Sequence, residues 1–263
     1  MTTTKHGIAA AEPSPATAFV RFPDYQPSDD TVTTFTHVNY PGYPAALARH
    51  LGNPETTIII SEIAAALFAT ASRKGLRYPD LLIAFDVDPV AREARNGYLI
   101  PEQGKPPDFV LEVASESTGR EDETVKRNDY EAMGVLEYWR FDHTGGEFHS
   151  APLAGDRLVD GKYRPIEITR ISDELYRGHS DALNLDLRWE YGNLRWYDPV
   201  AQRYLQTYDE VDDDRIAAER RAAAAHNERI AAEQRAAAAE SELDALKAQL
   251  QAREAPTDED AEF

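Results

Sequence analysis

Apolar and polar residues follow two different periods along the middle of the chain. Apolar runs bounded by Pro, Gly or acidic residues predict three strands, over Asp80–Asp86, Asp108–Val113 and Leu136–Phe141. Between the last two, Glu121–Met133 has the spacing of a helix, which Gly134 would end. Strands that alternate with helices are typical of a mixed α/β sheet.

Shorter segments on either side extend this pattern. They are a helix over Tyr43–Leu51, a strand over Thr56–Ile60, a helix over Glu62–Ser72 with Ser61 as its cap, and hairpin strands over Arg164–Ile168, Leu185–Tyr191 and Asn193–Tyr197. β-Branched runs and the turn pairs Gly-Asn and Asp-Pro favour the strands. The predicted fold class is α/β, a mixed sheet flanked by helices with added β-hairpins.

A heptad pattern distinguishes the C-terminal part of the chain. The block DDRIAAERRAAAAH is followed directly by the near repeat NERIAAEQRAAAAE. Steps of four and three residues alternate through Val211, Arg215, Ala218, Ala222, Ala225, Arg229, Ala232, Ala236, Ala239, Leu243, Leu246 and Leu250. This seam predicts a coiled coil that joins two copies of the chain, most tightly at its Leu end. A lone Ala-rich helix is the alternative.

Composition divides the chain into four segments. Residues 1–36, rich in Thr, Pro, Ser and Ala, are predicted to be a flexible arm. Residues 37–208 hold all three Trp and are predicted to be the globular domain. The coiled coil follows over 209–254, and 255–263 is predicted to be a disordered acidic tail.

The charge balance restricts the class of partner. The 263 residues include 28 Lys and Arg against 47 Asp and Glu, a net charge of −19. Broad phosphate contacts need clustered cations, so only a small, metal-bridged contact with nucleic acid is expected. Cysteine is absent, which excludes thiolate metal sites and a Cys nucleophile. No membrane span or secretion signal is evident, so a cytoplasmic protein is expected.

Carboxylates are the candidate chemistry. Glu112 interrupts an apolar strand, and alternation places it on the same face as Asp108 and Val110. A buried charge needs a partner, and a cation is the natural one. Asp80 opens the neighbouring predicted strand, and two carboxylates on adjacent strands can share one Mg²⁺.

Three stretches carry a family resemblance: YPDLLIAF, PPDFVLEVASEST and ETVKRNDYEAMGVLEYWRFD. Together they resemble the Uma-two family of restriction-endonuclease-like proteins, within the PD-(D/E)xK nuclease superfamily, over about 36–208. The resemblance implies a restriction-endonuclease-like sheet and metal-dependent hydrolysis of nucleic acid, with DNA favoured. It also implies that Asp80 is the strand Asp and Glu112 the acid of the (D/E)xK strand.

One position departs from that motif. Ala114 occupies the place of the (D/E)xK lysine. The resemblance implies that the following helix carries this lysine instead, at Lys126. Lys126 shares a helical face with Tyr130 and Met133. Arg127, about 100° away on the helix, is the adjacent alternative.

The expected catalytic residues are Asp80, Glu112 and Lys126. Asp80, Glu112 and the Val113 carbonyl would hold Mg²⁺, or Mn²⁺, with Asp108 as an outer ligand. Lys126 would orient the attacking water or stabilise the developing charge.

Glu62 would accept a hydrogen bond from a metal-bound water. The structural alternatives are that Asp80 and Asp108 only form turns, that Glu112 forms a buried salt bridge with Lys126 or Arg127, and that Lys126 is a surface lysine whose ammonium reaches solvent.

Two other functions stay open. A nuclease-like fold without activity, serving as an oligomeric interaction module, is favoured by the acidic charge, the displaced lysine and the heptad tail. A carbohydrate hydrolase would need two acids about 5–10 Å apart, but no groove of exposed aromatic residues is evident.

Overall fold

The structure is a computed structural model that describes residues 19–26 and 30–254. The helices are α1 (Asp30–Thr34), α2 (Tyr43–Leu51), α3 (Pro89–Arg95), α4 (Ile100–Gln103), α5 (Gly119–Glu121), α6 (Arg127–Met133) and α7 (Tyr208–Glu254), with π-helical turns at Phe35–Asn39 and Asp122–Lys126. The strands are β1 (Thr57–Ile60), β2 (Ala64–Ala66), β3 (Leu81–Phe85), β4 (Gly97–Leu99), β5 (Phe109–Val113), β6 (Glu137–Phe141), β7 (Leu153–Val159), β8 (Lys162–Pro165), β9 (Ile168–Ser172), β10 (Leu175–Ser180), β11 (Leu185–Glu190), β12 (Asn193–Asp198) and β13 (Arg203–Tyr204).

Contacts divide the chain into two compact units, Met1–Thr207 and Tyr208–Phe263. Much of the predicted arm, 1–18 and 27–29, and the whole predicted acidic tail lie outside the described residues. Within the arm, Phe22 is buried, and its backbone N–H donates to the Arg95 carbonyl at 2.8 Å. This part of the predicted arm therefore packs against the first unit.

Three sheets form the first unit. The largest has the order β1-β3-β5-β6-β7-β8, and a second has the order β13-β12-β11-β10-β9. The third pairs β2 with β4 in parallel. In the six-stranded sheet only β5 and β6 are parallel, and all other neighbours are antiparallel. The predicted mixed α/β fold is confirmed.

The two faces of the six-stranded sheet cover different cores. On one face, Leu81 and Leu111 belong to an apolar cluster that includes Trp196 of the second sheet. On the other, Leu82 and Val110 belong to a cluster with side chains of α6. Because side chains alternate along a strand, the even-numbered residues of β3 and β5 share the face toward α6.

The segment between β5 and β6 makes their parallel pairing possible. Parallel neighbours need a crossover, which α5, the π-helical turn and α6 supply. The predicted helix over Glu121–Met133 lies within this crossover. It ends as predicted at Gly134, whose φ of +82° caps α6.

The predicted helix over Glu62–Ser72 is wrong. Glu62 has a φ of +55°, and Ala64–Ala66 forms β2, which pairs with β4. The Ala65 backbone also exchanges hydrogen bonds with Arg77. Helix propensity is a weak preference that tertiary strand pairing overrides here.

The predicted strand over Arg164–Ile168 is also wrong, because β8 ends at Pro165 and β9 begins at Ile168. Proline cannot donate to a strand ladder, so it favours an end there.

α7 is a helix of 47 residues. Arg215 and Arg229, at seam positions, form ion pairs within the helix with Glu219 and Glu233. Its three seam Leu residues, 243, 246 and 250, are 52%, 51% and 59% exposed. Pairing with a second copy stays a prediction. Among the helices described over 30–254, none is both long and apolar enough to cross a membrane.

Candidate functional site

Asp80 and Glu112 lie side by side at one end of β3 and β5. Leu81 is paired with Leu111 in the antiparallel register, so the next pair outward is Asp80 and Glu112. Both belong to the face toward α6. Asp80 Oδ2 accepts the backbone N–H of Val113 at 2.5 Å, which joins the start of one strand to the end of the other.

Glu112 is almost completely buried, with 1% of its surface exposed. The Tyr130 hydroxyl donates to its Oε1 at 2.6 Å, and Lys126 Nζ donates to its Oε2 at 3.0 Å. The crossover between β5 and β6 therefore places the ammonium of Lys126 beside the carboxylate of Glu112.

Asp122 lies on the other side of the Lys126 ammonium. Its Oδ1 is 2.7 Å from Lys126 Nζ, and its Oδ2 is 3.0 Å from Nε2 of His149. A carboxylate only accepts, so this contact requires the proton on Nε2. The Tyr138 hydroxyl donates to the Asp122 carbonyl at 2.8 Å. Lys126 is thus held between two buried carboxylates.

A compact loop after β6 brings His149 to Asp122. The Asp142 carboxylate accepts the backbone N–H groups of Phe148 and His149 at 2.9 and 2.8 Å. These hydrogen bonds, together with those from Thr144, lower the pKa of Asp142 although burial acts to raise it. A Cβ at Gly119 would lie 2.4 Å from the Phe148 carbonyl oxygen, so glycine allows the loop to approach α5.

The buried charges shift the pKa values of the site residues. Burial raises the pKa of Asp80 to about 6, against the opposing effect of Lys126. Burial also raises the pKa of Glu112 well above its ordinary value, and the charges of Asp80 and Asp122 add to this. Burial acts to lower the pKa of Lys126, but the three carboxylates outweigh it and raise that pKa. Three acids thus share one ammonium.

The carboxylates of Asp80 and Glu112 are of the ligand type that a hard divalent cation takes. The side-chain ligands on offer are the oxygens of Asp80 and Glu112, and Mg²⁺ is usually held by one or two carboxylates together with water and phosphate. Each of these oxygens can accept a further contact besides the hydrogen bond described. Within residues 19–26 and 30–254, no group of three or more His, Asp or Glu side chains could hold a metal ion.

Asp108 is not part of this site, which corrects the prediction of an outer ligand. Its carboxylate binds Lys105 Nζ at 2.7 Å and accepts the backbone N–H of Phe85 at 2.8 Å. It stands four residues before Glu112 in an extended strand, about 13 Å away at ~3.3 Å per residue. Asp108 therefore stabilises the opposite end of β5.

Arg127, the alternative to Lys126, also points elsewhere. Its guanidinium binds Asp156 at 2.7 Å, and Arg140 binds the same carboxylate at 2.9 Å.

Glu62 lies beside Asp80, although on a turn and not on a helix. Its backbone N–H donates to the Pro79 carbonyl at 3.0 Å. Burial and the nearby charge of Asp80 raise the pKa of Glu62, against a hydrogen bond from Tyr25.

Sequence reasoning missed four residues of this neighbourhood. Thr34, assigned to the arm, donates its hydroxyl to Asp80 Oδ1. Asp122, Tyr130 and His149 are absent from the site that the sequence predicts. One sequence signal indicates that Asp122 and Tyr130 lie near Lys126: the three residues follow each other at four-residue steps, which places them on one helical face. No periodic signal marks His149, which lies in a loop.

Solved structures include a similar chain. The crystal structure of "a putative nuclease belonging to DUF820" from Anabaena variabilis ATCC 29413 is 11% identical, covering 56% of this chain and 74% of that chain, with a TM-score of 0.35. A TM-score of this size does not establish a shared fold. Among curated proteins, none matches the chain significantly.

A family model gives the assignment. The model of the Uma2 family, described as "Putative restriction endonuclease", matches residues 46–187, more than half of the 263 residues. The match spans Asp80, Glu112 and Lys126, and includes Asp122 and His149. The chain therefore belongs to the Uma2 family.

Proposed function

We propose that this protein is a metal-dependent endonuclease that hydrolyses phosphodiester bonds, with DNA as the favoured substrate. The observation that carries the proposal is the contact between Lys126 and Glu112. A helix-borne ammonium stands 3.0 Å from the strand carboxylate, so the three chemical parts of a (D/E)xK site converge despite Ala114.

Each residue has a defined role in this proposal. Asp80 and Glu112, with the Val113 carbonyl, would hold Mg²⁺ or Mn²⁺. When bound, the cation would polarise the phosphate and lower the pKa of a water molecule. Lys126 Nζ would donate hydrogen bonds to the attacking water or to the charge that develops on the phosphate.

Tyr130 and Asp122 keep the reactive groups in position. The Tyr130 hydroxyl fixes one oxygen of Glu112, which leaves the other for Lys126. Burial and the nearby Glu112 raise the pKa of Tyr130 well above its ordinary value, so the hydroxyl stays a donor.

Access to the carboxylates requires movement. Asp80 and Glu112 are only 9% and 1% exposed, and Thr34 of α1 contacts Asp80. A polymeric substrate would reach them when the segment that carries Thr34 moves aside.

We also propose that two copies pair through the seam of α7. The three exposed seam Leu residues have the a/d spacing that a partner helix would cover. A pair of copies would provide two cutting sites for the two strands of a duplex.

Nicking of supercoiled plasmid tests the proposal. Purified protein is incubated with plasmid and Mg²⁺ or Mn²⁺, and the variants Asp80→Asn and Glu112→Gln are compared with Asp108→Asn. Asp108 is a carboxylate of the same sheet face, held by its own lysine at the other end of β5, so it is a matched control. Cutting that stops with chelator and in both site variants, but not in the control, supports the proposal.

Calorimetric titration with Mn²⁺ tests the alternative that the carboxylates are structural. If wild type leaves DNA and RNA intact and binds no Mn²⁺, the buried carboxylates are structural. The function would then be that of an oligomeric interaction module, in which Glu112, Lys126 and Asp122 stabilise the fold.

A further inference from the structure

A small cavity lies beside the candidate site. It has a volume of about 190 Å³ and is lined by Tyr25, Glu62, Tyr78 and Arg92, with Ile60 and Ile63 among its apolar walls. Pockets for drug-sized ligands are typically about 300–1,000 Å³. The cavity therefore suits a group of the size of a single ring system.

Three polar atoms of this lining are buried without a partner. Within the described part of the chain, Glu62 Oε1, Tyr78 Oη and Arg92 Nε make no hydrogen bond. Most buried polar atoms in proteins are hydrogen-bonded, and each exception needs an explanation. Three unpaired polar atoms in the lining of one cavity indicate that the cavity receives a polar group.

The cavity is next to the reacting centre. The Glu62 backbone N–H donates to the carbonyl of Pro79, the residue before Asp80. Burial raises the pKa of Glu62 most, and the nearby charge of Asp80 raises it further. A group in the cavity would therefore be close to a phosphate held by Asp80 and Glu112.

The lining has the chemistry to read a nucleobase. Glu62 Oε1 is an acceptor, Arg92 Nε carries a donor hydrogen, and the Tyr78 hydroxyl can act as either. The rings of Tyr25 and Tyr78 lie 5.4 Å apart at 47°, and aromatic rings can stack on an unpaired base. An acceptor and a donor in the same lining complement a base edge that presents an amino group next to an unprotonated ring nitrogen.

We propose that the cavity is a subsite for one unstacked nucleobase with such an edge, cytosine or adenine. This inference rests on the proposed nuclease function and extends it to single-stranded or locally opened nucleic acid. Thymine has no amino group to offer Glu62, so it should bind less tightly.

Binding of labelled oligonucleotides tests this subsite. The full chain is titrated into fluorescent dC, dA and dT 12-mers with Ca²⁺ in place of Mg²⁺, and gels confirm that the probes stay intact. Wild type should bind dC or dA about tenfold tighter than dT, the size of a good base contact. Tyr78→Phe and Arg92→Met should each reduce this preference severalfold and leave dT binding unchanged. Tyr191→Phe, which changes an exposed tyrosine in the turn between β11 and β12, should retain the preference.

The outcomes distinguish the two proposals. Equal binding of the three probes by wild type would overturn the subsite, even if plasmid nicking is observed. A preference that persists in both cavity variants would place base recognition elsewhere and also overturn it. Failure of the nuclease function would show separately, as the absence of cutting and of Mn²⁺ binding.

Discussion

Lys126 Nζ lies 3.0 Å from Glu112 Oε2, although the two residues are 14 positions apart and belong to different elements. The sheet provides the acid, and the crossover between β5 and β6 provides the ammonium. Residue 114, where the motif would place a lysine, is instead an alanine that is completely buried.

Replacing Lys126 with Met should impair both activity and stability. Loss of the ammonium leaves Glu112 and Asp122 buried without their shared cation, and breaking a buried ion pair costs about 3–5 kcal/mol. The plasmid-nicking rate should fall at least about 100-fold, as for loss of one charge-stabilising donor. Urea unfolding at neutral pH measures the stability.

Lys105→Met is the matched control for that change. Lys105 pairs with Asp108, the residue just before β5, but its side chain is 32% exposed. The Lys105→Met variant should change the plasmid-nicking rate by less than twofold. Equal losses in the two variants would contradict a specific role for Lys126.

Asp80 should make stability depend on pH below neutrality. Burial raises its pKa from 3.8 to about 6. The folded state therefore favours the protonated acid, and the stabilising contribution is fully present below pH 3.8 and is lost as the pH rises through about 6. The amide of the Asp80→Asn variant does not titrate. The stability of wild type minus that of this variant should fall by about 2.4 kcal/mol between about pH 4 and pH 7.

Urea unfolding in EDTA at several pH values measures this difference. The hydrogen bonds lost in Asp80→Asn change the free energy of unfolding by a similar amount at every pH. The informative quantity is therefore how the difference between wild type and variant changes with pH. A difference that rises with pH would contradict the raised pKa.

His149 should act as a positioning residue through Asp122. His149→Leu removes the donor 3.0 Å from Asp122 Oδ2, and a buried acceptor without its partner costs about 1–3 kcal/mol. We expect kcat for nicking to fall about tenfold with little change in KM. His149→Gln can still donate and should recover much of the rate. Equal defects in both variants would indicate that His149 only supports folding.

Replacing Leu243, Leu246 and Leu250 with Ala should abolish self-association. These seam residues are exposed in the single chain and supply most of the apolar area that pairing would bury. Light scattering should give the mass of one chain, as it should after deletion from Val211 onward. Ile230→Ala is the control, because Ile230 is 37% exposed but lies outside the seam. A mass of two truncated chains after the deletion would refute pairing through α7.

The sequence was sufficient where local pattern and structure agree. The run that became β5 is apolar apart from Glu112, and alternation alone placed Glu112 and Val110 on one face. The four-residue step from Lys126 to Tyr130 likewise indicated that both side chains point the same way. These predictions needed no information about distant parts of the chain.

It was insufficient where distant segments decide the structure. Ala64–Ala66 reads as helix, but pairing with Gly97–Leu99 makes it a strand. Asp108 has the sequence context of a ligand, yet its carboxylate accepts the backbone N–H of Phe85 from the neighbouring strand, a contact set by the three-dimensional fold. His149 reaches Asp122 only because its loop closes around Asp142.

Because β5 and β6 pair in parallel through the crossover that carries Lys126, the sheet and the charge network assemble together. A chain in which β3 and β5 had paired without the crossover would hold Asp80 and Glu112 together with no cation between them, which like-charge repulsion disfavours. Docking of the crossover brings Lys126 and removes that penalty. The charges of the site thus select against half-formed sheets and make folding of this region more cooperative.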